Sequence, residues 1–480
     1  MGEMPSEGKM PRRRVVVVGG GISGLSAGRA AVEAARTAGL GEELEVLLLE
    51  RSKEVGGKVV SRRRDGYLVE GGPTGFLDNE PILDRLVEVA GLEKLPAEAA
   101  SARRFLVRAG KLREVQAHPL KFAASGILSP LGLLRLAREA FVPGRTDDDD
   151  ETIWKFAERR LGRQAAERLI APMVLGVFAG DARKLSLPAA FPRMRELEME
   201  HGSLLRAMRK LKAAGKSKGG PAGPGATLTS FADGLQALPL ALARKGGFEV
   251  RTGVAIDRLI PRGKRWELQP KQNSAPIMAD AVVLAAEPWA AAPLLPSELE
   301  DVAKELRSIE CPAVSVVSLG FGDDALARVP RGFGALIPRG EGFRSLGVLW
   351  DTHLFAGRSP QGTLLLRVML GGAVDPAIAG ASEAELVELA LADLARLHGL
   401  KQAPIFKEVT RWPRAIPQYV LGHRERVKRI ESSLQAWHSG GGATIGLAGN
   451  ALDGVAFGKA AARGWHTGQQ VVDALAAATT

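Results

Sequence analysis

The first fifty residues contain the feature that most restricts the fold of this chain. Residues 13–18 are a short run rich in valine, the composition of a strand buried on both faces of a parallel sheet. The glycine-rich segment GGGISG follows at 19–24, and an alanine-rich stretch then runs to a glycine at 39. A second apolar run, 44–50, ends in a glutamate. This order predicts a strand, a turn, a helix and a strand, the βαβ unit of a Rossmann-like fold.

Each glycine of this turn has a separate physical role in binding a dinucleotide. Gly19 permits the tight turn, Gly21 lets the backbone approach a pyrophosphate, and Gly24 lets the helix lie close to the sheet. The helix N-terminus adds unpaired N–H groups and the positive end of its dipole. Glu50 is placed to accept hydrogen bonds from the adenosine ribose, which an ordinary glycine-rich turn would not explain. The predicted contacts are Gly19, Gly20, Gly21, Ile22, Ser23, Gly24 and Glu50.

Two further glycine-containing loops follow the βαβ unit. The ribityl chain and ring of FAD need backbone N–H groups beyond the first unit, and these loops are placed to supply them. Taken alone, both loops are equally compatible with ordinary hairpin turns. Together with the first unit they favour FAD as the cofactor. The additional predicted contacts are Arg51, Gly57, Lys58, Gly72, Pro73, Thr74 and Gly75.

Length and composition limit the remaining possibilities. A chain of 480 residues exceeds the size of one hydrophobic core, so two or three domains are expected. The single cysteine, Cys311, excludes an intramolecular disulfide framework and a cysteine-based metal cluster, and it favours the cytoplasm. The first residues lack an apolar stretch with a cleavage site, so no signal peptide is expected. No uncharged, proline-free window of about 18 apolar residues occurs, so no membrane-crossing helix is expected.

The positive charge of the chain is concentrated in one region. Residues 85–212 contribute +8 of the formal net charge of +11. A basic surface can bind anionic lipid, nucleic acid or an acidic small molecule. No zinc-finger spacing or RNA-recognition signature accompanies this one, which argues against nucleic acid. Residues 122–142 are mostly apolar, with Arg135, Arg138 and Glu139 late in the segment, and predict helices that contact a membrane surface.

Later segments predict a second sheet and a return to the first. Four segments with turn signals between them predict a mostly antiparallel second sheet: 314–319, 332–337, 346–350 and 364–370. Near the C-terminus, 443–448 predicts a strand, 449–450 a turn, and 453–458 the entry to a long helix. Its N-terminus would point at the flavin, because a positive dipole end stabilises the negative charge that develops as hydride arrives.

Two polar segments are assigned structural roles. The acidic run 147–151 predicts a helix start, and a metal site is not predicted there or elsewhere. Residues 214–226, rich in glycine, proline and lysine, predict a flexible linker.

The predicted fold class is α/β, α+β overall, with three parts. They are a Rossmann-like FAD-binding domain, a substrate-binding domain with a mixed or antiparallel sheet, and a helical insertion that associates with a membrane. The predicted boundaries are 11–84, 227–290 and 441–480 for the FAD-binding domain, 85–111, 211–226 and 291–440 for the substrate-binding domain, and 112–210 for the helical domain.

Several short motifs occur in the order found in one flavoenzyme family. They are GGGISGL at 19–25, GP at 72–73, RFL at 104–106 with GKLR at 110–113, GVFAGD at 176–181, GFG at 332–334, MLGG at 369–372, IPQY at 416–419, and GN at 449–450 with GVA at 454–456. Nearly end to end, the chain resembles the protoporphyrinogen oxidase family. The first motif fits flavin amine oxidase-like enzymes in general, whereas GVFAGD and IPQY are much narrower.

The resemblance implies roles for residues that the sequence pattern does not single out. It places the arginine that pairs with a substrate propionate at Arg104, and the backbone position near the reacting carbon at Gly176. The implied apolar walls of the macrocycle site are Phe333, Leu336 and Met369. The implied FAD contacts add Ile256, Asn450, Val455, Ala456 and Phe457 to those already named.

Two positions depart from the commonest family pattern. Lys58 stands where many relatives in the wider superfamily have arginine, and Ala460 stands where a cysteine is frequent. These departures affect the detail of the flavin contacts and leave the reaction class unchanged.

The implied activity is the oxygen-dependent oxidation of protoporphyrinogen IX to protoporphyrin IX in haem and tetrapyrrole biosynthesis. It proceeds by repeated hydride transfer to FAD, with hydrogen peroxide released. The seven histidines are scattered and no acid–base pair accompanies the motifs, so the flavin is expected to be the catalyst and the protein the clamp. The implied partners are the porphyrinogen, molecular oxygen, an anionic membrane surface and the next haem-pathway enzyme. The expected location is the cytoplasm, peripheral on the inner face of the cell membrane.

Three alternatives remain open. Coproporphyrinogen III, with four propionates instead of two, is the alternative substrate, and the basic region is compatible with it. A flavin amine oxidase or carotenoid desaturase would need an aromatic cage or a long apolar tunnel, and the relevant strands carry few aromatic residues. A non-enzymatic flavin-binding protein would leave the site motifs without a role.

Overall fold

The computed structural model describes residues 13–116, 118–145, 147–213, 226–272 and 274–477. The strands are, in chain order, β1 Arg13–Val18, β2 Leu44–Glu50, β3 Ser61–Arg64, β4 Tyr67–Glu70, β5 Phe76–Leu77, β6 Leu95–Pro96, β7 Arg104–Arg108, β8 Lys111–Glu114, β9 Leu228–Ser230, β10 Glu249–Thr252, β11 Ile256–Arg262, β12 Arg265–Pro270, β13 Ile277–Ala279, β14 Ala281–Leu284, β15 Val314–Phe321, β16 Gly334–Leu336, β17 Gly347–Leu349, β18 Leu364–Gly371, β19 Phe406–Trp412 and β20 Thr444–Leu447.

The α-helices are α1 Ile22–Thr37, α2 Pro81–Ala90, α3 Pro119–Ala124, α4 Pro130–Ala137, α5 Ile153–Leu161, α6 Arg163–Ala165, α7 Ala171–Phe178, α8 Leu187–Ala190, α9 Pro192–His201, α10 Leu204–Ala213, α11 Ala237–Lys245, α12 Pro288–Ala291, α13 Glu300–Arg307, α14 Asp323–Leu326, α15 Asp351–Leu354, α16 Glu383–His398, α17 His423–Ser439 and α18 Phe457–Ala477. Short 3-10 helices lie at Ala99–Ala102, Arg138–Phe141, Ala292–Leu294, Ser297–Leu299 and Pro376–Gly380, and a π-helical turn at Ala166–Ile170.

The first sheet has five parallel strands in the order β10-β2-β1-β14-β20. β1 is central, and Val15, Val16 and Val17 are fully buried. Val15 and Val17 pack in one core with residues of α1, whereas Val16 lies in a second core on the opposite face. Burial on both faces explains the valine run, and the predicted βαβ unit is present as β1, α1 and β2.

The last helix, α18, packs directly on the first helix, α1. A Cβ on Gly464 would overlap with the carbonyl oxygen of Ser23, and one on Gly468 with that of Ala27. The hydroxyl of Ser23 donates a hydrogen bond of 2.8 Å to the carbonyl oxygen of Ala460. The backbones of the first and the last helix are therefore in direct contact. The predicted C-terminal helix is present, with its first residue at Phe457.

The second sheet has seven strands in the order β19-β15-β18-β17-β16-β7-β8. β16 pairs with β7 in parallel, and the other neighbouring pairs are antiparallel. The four predicted segments form β15, β16, β17 and β18, with β16 and β17 shorter than expected, so the prediction of a mixed sheet is confirmed. One face of this sheet packs against α16 in a large apolar core. The opposite face carries residues of the candidate site.

The helices between residues 119 and 213 surround a buried ion-pair network. Arg160 and Glu139 are fully buried and paired, and Arg160 also lies 3.5 Å from a carboxylate oxygen of Glu198. Arg159 pairs with the same Glu198 at 2.7 Å. Buried charges must be paired in this way because an unpaired one is strongly destabilising. Several arginines of the basic region are therefore committed to internal contacts.

The predicted membrane contact and the predicted linker both stay predictions. In the part of the chain that the structure describes, no helix is both long and apolar enough to cross a bilayer. The apolar segment 122–142 is divided among α3, α4 and a 3-10 helix, and its role at a membrane stays a prediction. Of the predicted linker, only Ala226 lies within the described residues. The three domain boundaries likewise stay predictions.

The contact between α1 and α18 predicts a sharp cost for a single methyl group. Gly464→Ala should lower the free energy of unfolding by about 1–3 kcal/mol, because the added carbon meets rigid backbone. Gly380→Ala is the matched control: Gly380 is exposed, and no atom lies within 4 Å of its Cβ position. Urea unfolding of both variants is the measurement. Equal stability of the two variants would contradict the close approach.

Candidate active site

The glycine turn between β1 and α1, residues 19–24, is crowded on one side and open on the other. Gly19 has a φ of +116°, and a Cβ there would lie 2.6 Å from the carbonyl oxygen of Ala285. A Cβ on Gly24 would overlap with the carbonyl oxygen of Gly19. At Gly21, by contrast, no atom lies within 4 Å of the Cβ position. This free space is at the N-terminus of α1, where a pyrophosphate would need it.

Glu50 lies beside the turn at the end of β2. One carboxylate oxygen accepts a hydrogen bond of 2.6 Å from the N–H of Gly20, and the other accepts one of 2.7 Å from Ser52. The side chain is buried, with 7% exposed. Each carboxylate oxygen has a second acceptor position, so the group can still bind hydroxyls. The open turn and this carboxylate together fit the adenosine and pyrophosphate parts of FAD.

The second glycine loop, residues 70–75, is held by side chains from the second sheet. Arg367 donates hydrogen bonds to the carbonyl oxygens of Glu70 and Gly72, at 3.0 and 2.9 Å. The indole N–H of Trp412 donates to the carbonyl oxygen of Gly71 at 2.6 Å. Three successive carbonyl groups are therefore fixed, and this loop joins the two sheets at the site.

Arg367 is a residue of the candidate site region that the sequence analysis did not assign. Its guanidinium is almost fully buried and pairs with Asp351 at 2.9 Å. The sequence contains a signal for this buried ion pair, because Arg367 is the one charged residue in the apolar strand LLLRVMLG of β18. A charge in such a strand is buried only when it has a specific partner.

Three other predicted contacts lie around this region. The ammonium group of Lys58 pairs with a carboxylate oxygen of Glu287 at 2.7 Å. The guanidinium of Arg51 lies 5.1 Å from the ring centroid of Trp289. The side chain of Ile256 is buried in the core on the second face of the first sheet, so it contributes packing there. Their contact with a cofactor stays a prediction.

The C-terminal glycine loop, residues 449–456, begins where β20 ends. Since β1 and β20 belong to the same parallel sheet, their carboxyl ends place this loop and the glycine turn at one edge. Gly449 and Gly454 have φ values of +124° and +133°, which glycine adopts without strain. α18 starts immediately after the loop at Phe457. The helix N-terminus is thus at the sheet edge where the sequence predicts the flavin.

On the site face of the second sheet, three residues from neighbouring strands form one row. Leu336 of β16 is paired with Gly347 of β17, which is paired with Met369 of β18. Paired residues point to the same face, and a Cβ on Gly347 would lie 3.6 Å from the side chains of both Leu336 and Met369. Gly176 of α7 packs against this row, because a Cβ on it would lie 2.5 Å from Leu336. These four residues define what we call the slot.

Arg104 lies on the same sheet face as the slot, two residues before Leu106 on β7. Its guanidinium stands 4.7 Å from the ring centroid of Phe333. Burial lowers the pKa of Arg104 from its usual value, although an arginine stays charged. Within the described residues, no carboxylate pairs with it. The structure therefore places Arg104 beside Phe333, and it places Leu336 beside Gly176 and in one row with Met369. The roles of these residues toward a substrate stay predictions.

Arg113 is a second arginine on this face that the sequence analysis did not assign. It is the cross-strand partner of Leu106 on β7, so it is a diagonal neighbour of Arg104. Its Nε is buried and has no hydrogen-bond partner among the described residues. No carboxylate of the described chain pairs with it. The register of β8, which the sequence does not specify, is what brings Arg113 here.

Comparison with known proteins identifies the family of this chain. Residues 22–475 match the profile of the flavin-containing amine oxidoreductases. The chain belongs to this family. The prediction of an FAD-dependent oxidoreductase is therefore confirmed, and with it FAD as cofactor.

Individual relatives within this family include porphyrinogen-oxidising enzymes. The chain is 32% identical to the chloroplastic protoporphyrinogen oxidase of Oryza sativa subsp. japonica, over 96% of this chain and 88% of that protein. It is 30% identical to the coproporphyrinogen III oxidase of Bacillus subtilis, over 94% and 95%. The resemblance to the protoporphyrinogen oxidase family is confirmed by these relatives.

Solved structures show the same fold. A candidate protoporphyrinogen oxidase from Exiguobacterium sp. 255-15 superposes with a TM-score of 0.82 at 24% identity, covering 98% of this chain and 99% of that one. Cyclohexylamine oxidase from Brevibacterium oxydans gives a TM-score of 0.68 at 16% identity, covering 97% and 100%. At these identities the likeness concerns the fold, and the roles of individual site residues stay predictions.

The open space at Gly21 can be tested apart from stability. Gly21→Ala should weaken FAD binding by roughly tenfold or more, because the methyl group occupies the space for the pyrophosphate. The apoprotein should unfold like the parent. Gly322→Ala is a matched control: both glycines precede a helix with extended backbone, and neither Cβ position has a neighbour within 4 Å. Fluorescence titration of apoprotein with FAD is the measurement. Unchanged affinity in Gly21→Ala would exclude this location.

Proposed function

We propose that this protein oxidises protoporphyrinogen IX to protoporphyrin IX in haem and tetrapyrrole biosynthesis. The observation that carries the proposal is that Arg104, Leu336 and Met369 lie on one face of the second sheet, the face from which Arg367 holds the second glycine loop. A flat, apolar tetrapyrrole with carboxylates at its rim needs such a site. Relatives named protoporphyrinogen oxidase, at 29–32% identity over most of the chain, support it.

The residues of the chain bind and orient the substrate in this proposal. FAD held beside the glycine turn and Glu50 would supply the two-electron acceptor: in each cycle a hydride would leave a methylene bridge carbon and a proton a ring nitrogen, and both would end on molecular oxygen as hydrogen peroxide. Arg104 pairs with a propionate and sets the position of the macrocycle. Leu336 and Met369 contact the apolar ring and exclude water. Gly176 lets the backbone of α7 approach the slot, since any side chain there would meet Leu336.

Coproporphyrinogen III is the second candidate substrate. It carries four propionates, and Arg113 adds a second guanidinium next to Arg104 on the same sheet face. The relatives from Bacillus subtilis and from Propionibacterium freudenreichii, named coproporphyrinogen III oxidase, support this candidate. The two candidates differ in the number of carboxylates that need a cationic partner.

Porphyrin fluorescence separates the candidates. The holoenzyme should produce porphyrin aerobically from protoporphyrinogen, from coproporphyrinogen or from both, under light-protected conditions. Arg104→Gln should raise KM by about tenfold to a hundredfold, because a charge-assisted hydrogen bond is worth roughly 1.5–3 kcal/mol. If coproporphyrinogen is the substrate, Arg113→Gln should raise KM for it more than for protoporphyrinogen.

The matched control is Arg258→Gln on β11, an exposed arginine of the FAD-binding side. It should leave both KM values unchanged. No enzymatic porphyrin formation from either substrate, in a preparation with full FAD content, would contradict the proposal and favour an amine or carotenoid substrate.

We also propose that the protein lies peripherally on an anionic membrane. Leu131 of α4 and Phe141 of the following 3-10 helix are 78% and 85% exposed, and Leu120 is exposed nearby. Lys121 and Arg138 are exposed in the same segments. Exposed apolar side chains next to cations are typical of helices that lie in the interface of a bilayer. Such a position would suit delivery of an apolar porphyrin to the next haem-pathway enzyme.

Vesicle binding tests this location. Co-sedimentation with phosphatidylglycerol-containing vesicles should be clear for the parent protein and weaker for phosphatidylcholine alone. The double variant Leu131→Glu, Phe141→Glu should lose most of the binding, because charged groups do not enter the acyl region. Ile405→Glu, at another exposed apolar residue, should bind like the parent. Absence of binding by the parent protein would refute the peripheral location.

A further inference from the structure

The segment IPQY, residues 416–419, is a narrow motif whose chemistry the site described so far does not use. It lies between the C-terminal glycine loop and the end of α7, the helix that carries Gly176. We propose that Tyr419 and Gln418 are positioning residues that fix these two elements relative to each other. Tyr419 acts on the C-terminal glycine loop and Gln418 on α7. The inference rests on the proposed function only in taking the slot as the place where the substrate binds.

The hydroxyl of Tyr419 closes the C-terminal glycine loop. It donates a hydrogen bond of 2.5 Å to the carbonyl oxygen of Asn450 and accepts one of 2.7 Å from the N–H of Gly454. One side-chain atom thus joins two backbone groups that are four residues apart. The loop contains Gly449 and Gly454, both with positive φ, and glycine gives a free chain many alternative conformations. A cross-link of this kind selects one of them.

The ring of Tyr419 is itself held rigidly. It is fully buried and stacks on the imidazole of His423, with a centroid distance of 4.1 Å and an interplanar angle of 15°. The ring of Phe178 meets it edge-on at 5.8 Å. Burial raises the pKa of Tyr419 and lowers that of His423 to about 4, so both groups are neutral near pH 7. The hydroxyl keeps its proton and can donate to Asn450.

Gln418 attaches the same segment to α7. Its side-chain amide donates a hydrogen bond of 2.9 Å to the carbonyl oxygen of Phe178, the last residue of α7. Gly180 must lack a side chain there, because a Cβ would overlap with the amide oxygen of Gln418. The backbone N–H of Gln418 donates to the carbonyl oxygen of Glu310 at 2.9 Å. The end of α7 is therefore fixed two residues after Gly176.

A third motif, MLGG at 369–372, attaches the residue after α7 to the second sheet. The N–H of Ala373, directly after MLGG at 369–372, donates a hydrogen bond of 2.8 Å to the carbonyl oxygen of Ala179. Ala179 has a φ of +48°, a conformation that a residue with a side chain rarely adopts. GVFAGD, MLGG, IPQY and the C-terminal glycine loop thus meet in one hydrogen-bonded junction. Its geometry sets the position of the slot relative to the cofactor edge.

The test removes the hydroxyl of Tyr419 and, as a control, the hydroxyl of Tyr67. The sequence has two tyrosines, and Tyr67 is also buried and stacked on a ring, Phe406, but its hydroxyl has no partner among the described residues. Tyr419→Phe should weaken FAD binding about tenfold or more, because both hydrogen bonds of the hydroxyl, to Asn450 and from Gly454, are lost and the loop is no longer fixed. It should also change the visible circular dichroism of the bound flavin. Tyr67→Phe should leave both unchanged.

Kinetics of the two holoenzymes provide a second readout. With saturating FAD, Tyr419→Phe should lower kcat about tenfold while KM stays within about twofold, because the slot keeps its substrate contacts. Gln418→Ala should lower kcat with a normal flavin spectrum, since it acts on α7. Flavin affinity and circular dichroism need no substrate, so they test the inference even if no porphyrinogen is oxidised.

A measurement on the parent protein avoids any folding defect of the variants. Tyrosine labelled with ¹³C at Cζ gives two resonances, which the Tyr67→Phe variant assigns. Adding FAD to the apoprotein should shift the Tyr419 resonance and leave the Tyr67 resonance in place. If FAD leaves both resonances in place, or if Tyr419→Phe binds FAD with the affinity and spectrum of the parent, the positioning role is wrong.

Discussion

The direct packing of α18 on α1 is the contact on which the rest of the structure depends. It brings the last helix to backbone distance from the first, because Gly464 and Gly468 have no side chains to hold the helices apart. With α18 fixed, β20 takes the edge of the first sheet and the C-terminal glycine loop faces the glycine turn across that edge. The predicted cofactor site thus combines loops that adjoin the first and the last helix.

Buried polar groups connect this sheet to the second one. Arg367 and Trp412 hold the carbonyl groups of the second glycine loop, and Glu70 at the start of that loop is almost fully buried beside Arg358 and Ser61. Burial raises the pKa of Glu70, the effect that outweighs its hydrogen bonds and nearby charges. Such groups are costly to bury without partners, so the contacts of Arg367, Trp412 and Glu70 restrict how the two sheets meet.

The sequence predicted the first βαβ unit and the second sheet correctly, and the contacts of the glycine loops with FAD stay predictions. These features depend on patterns that are local in the sequence: Val15, Val16 and Val17 form a continuous apolar run that is buried on both faces, and Gly24 lies close to the carbonyl oxygen of Gly19 five residues earlier. Arg113, Arg367 and Tyr419 were not assigned. Their roles come from partners that are distant in sequence or from strand register, as with Tyr419 and Gly454 or Arg113 and Leu106.

The sequence by itself determined that the chain begins with a dinucleotide-binding turn and that it resembles one flavoenzyme family. A strand, a glycine turn and a terminal acid are read within fifty residues, because their geometry is set by backbone sterics and by hydrogen bonds between near neighbours. The tertiary structure alone decided that Arg113 lies beside Arg104 and that Tyr419 and Gln418 join the C-terminal glycine loop to α7. Leu336, Gly347 and Met369 become neighbours only through the register of three strands, and register depends on the packing of the whole sheet.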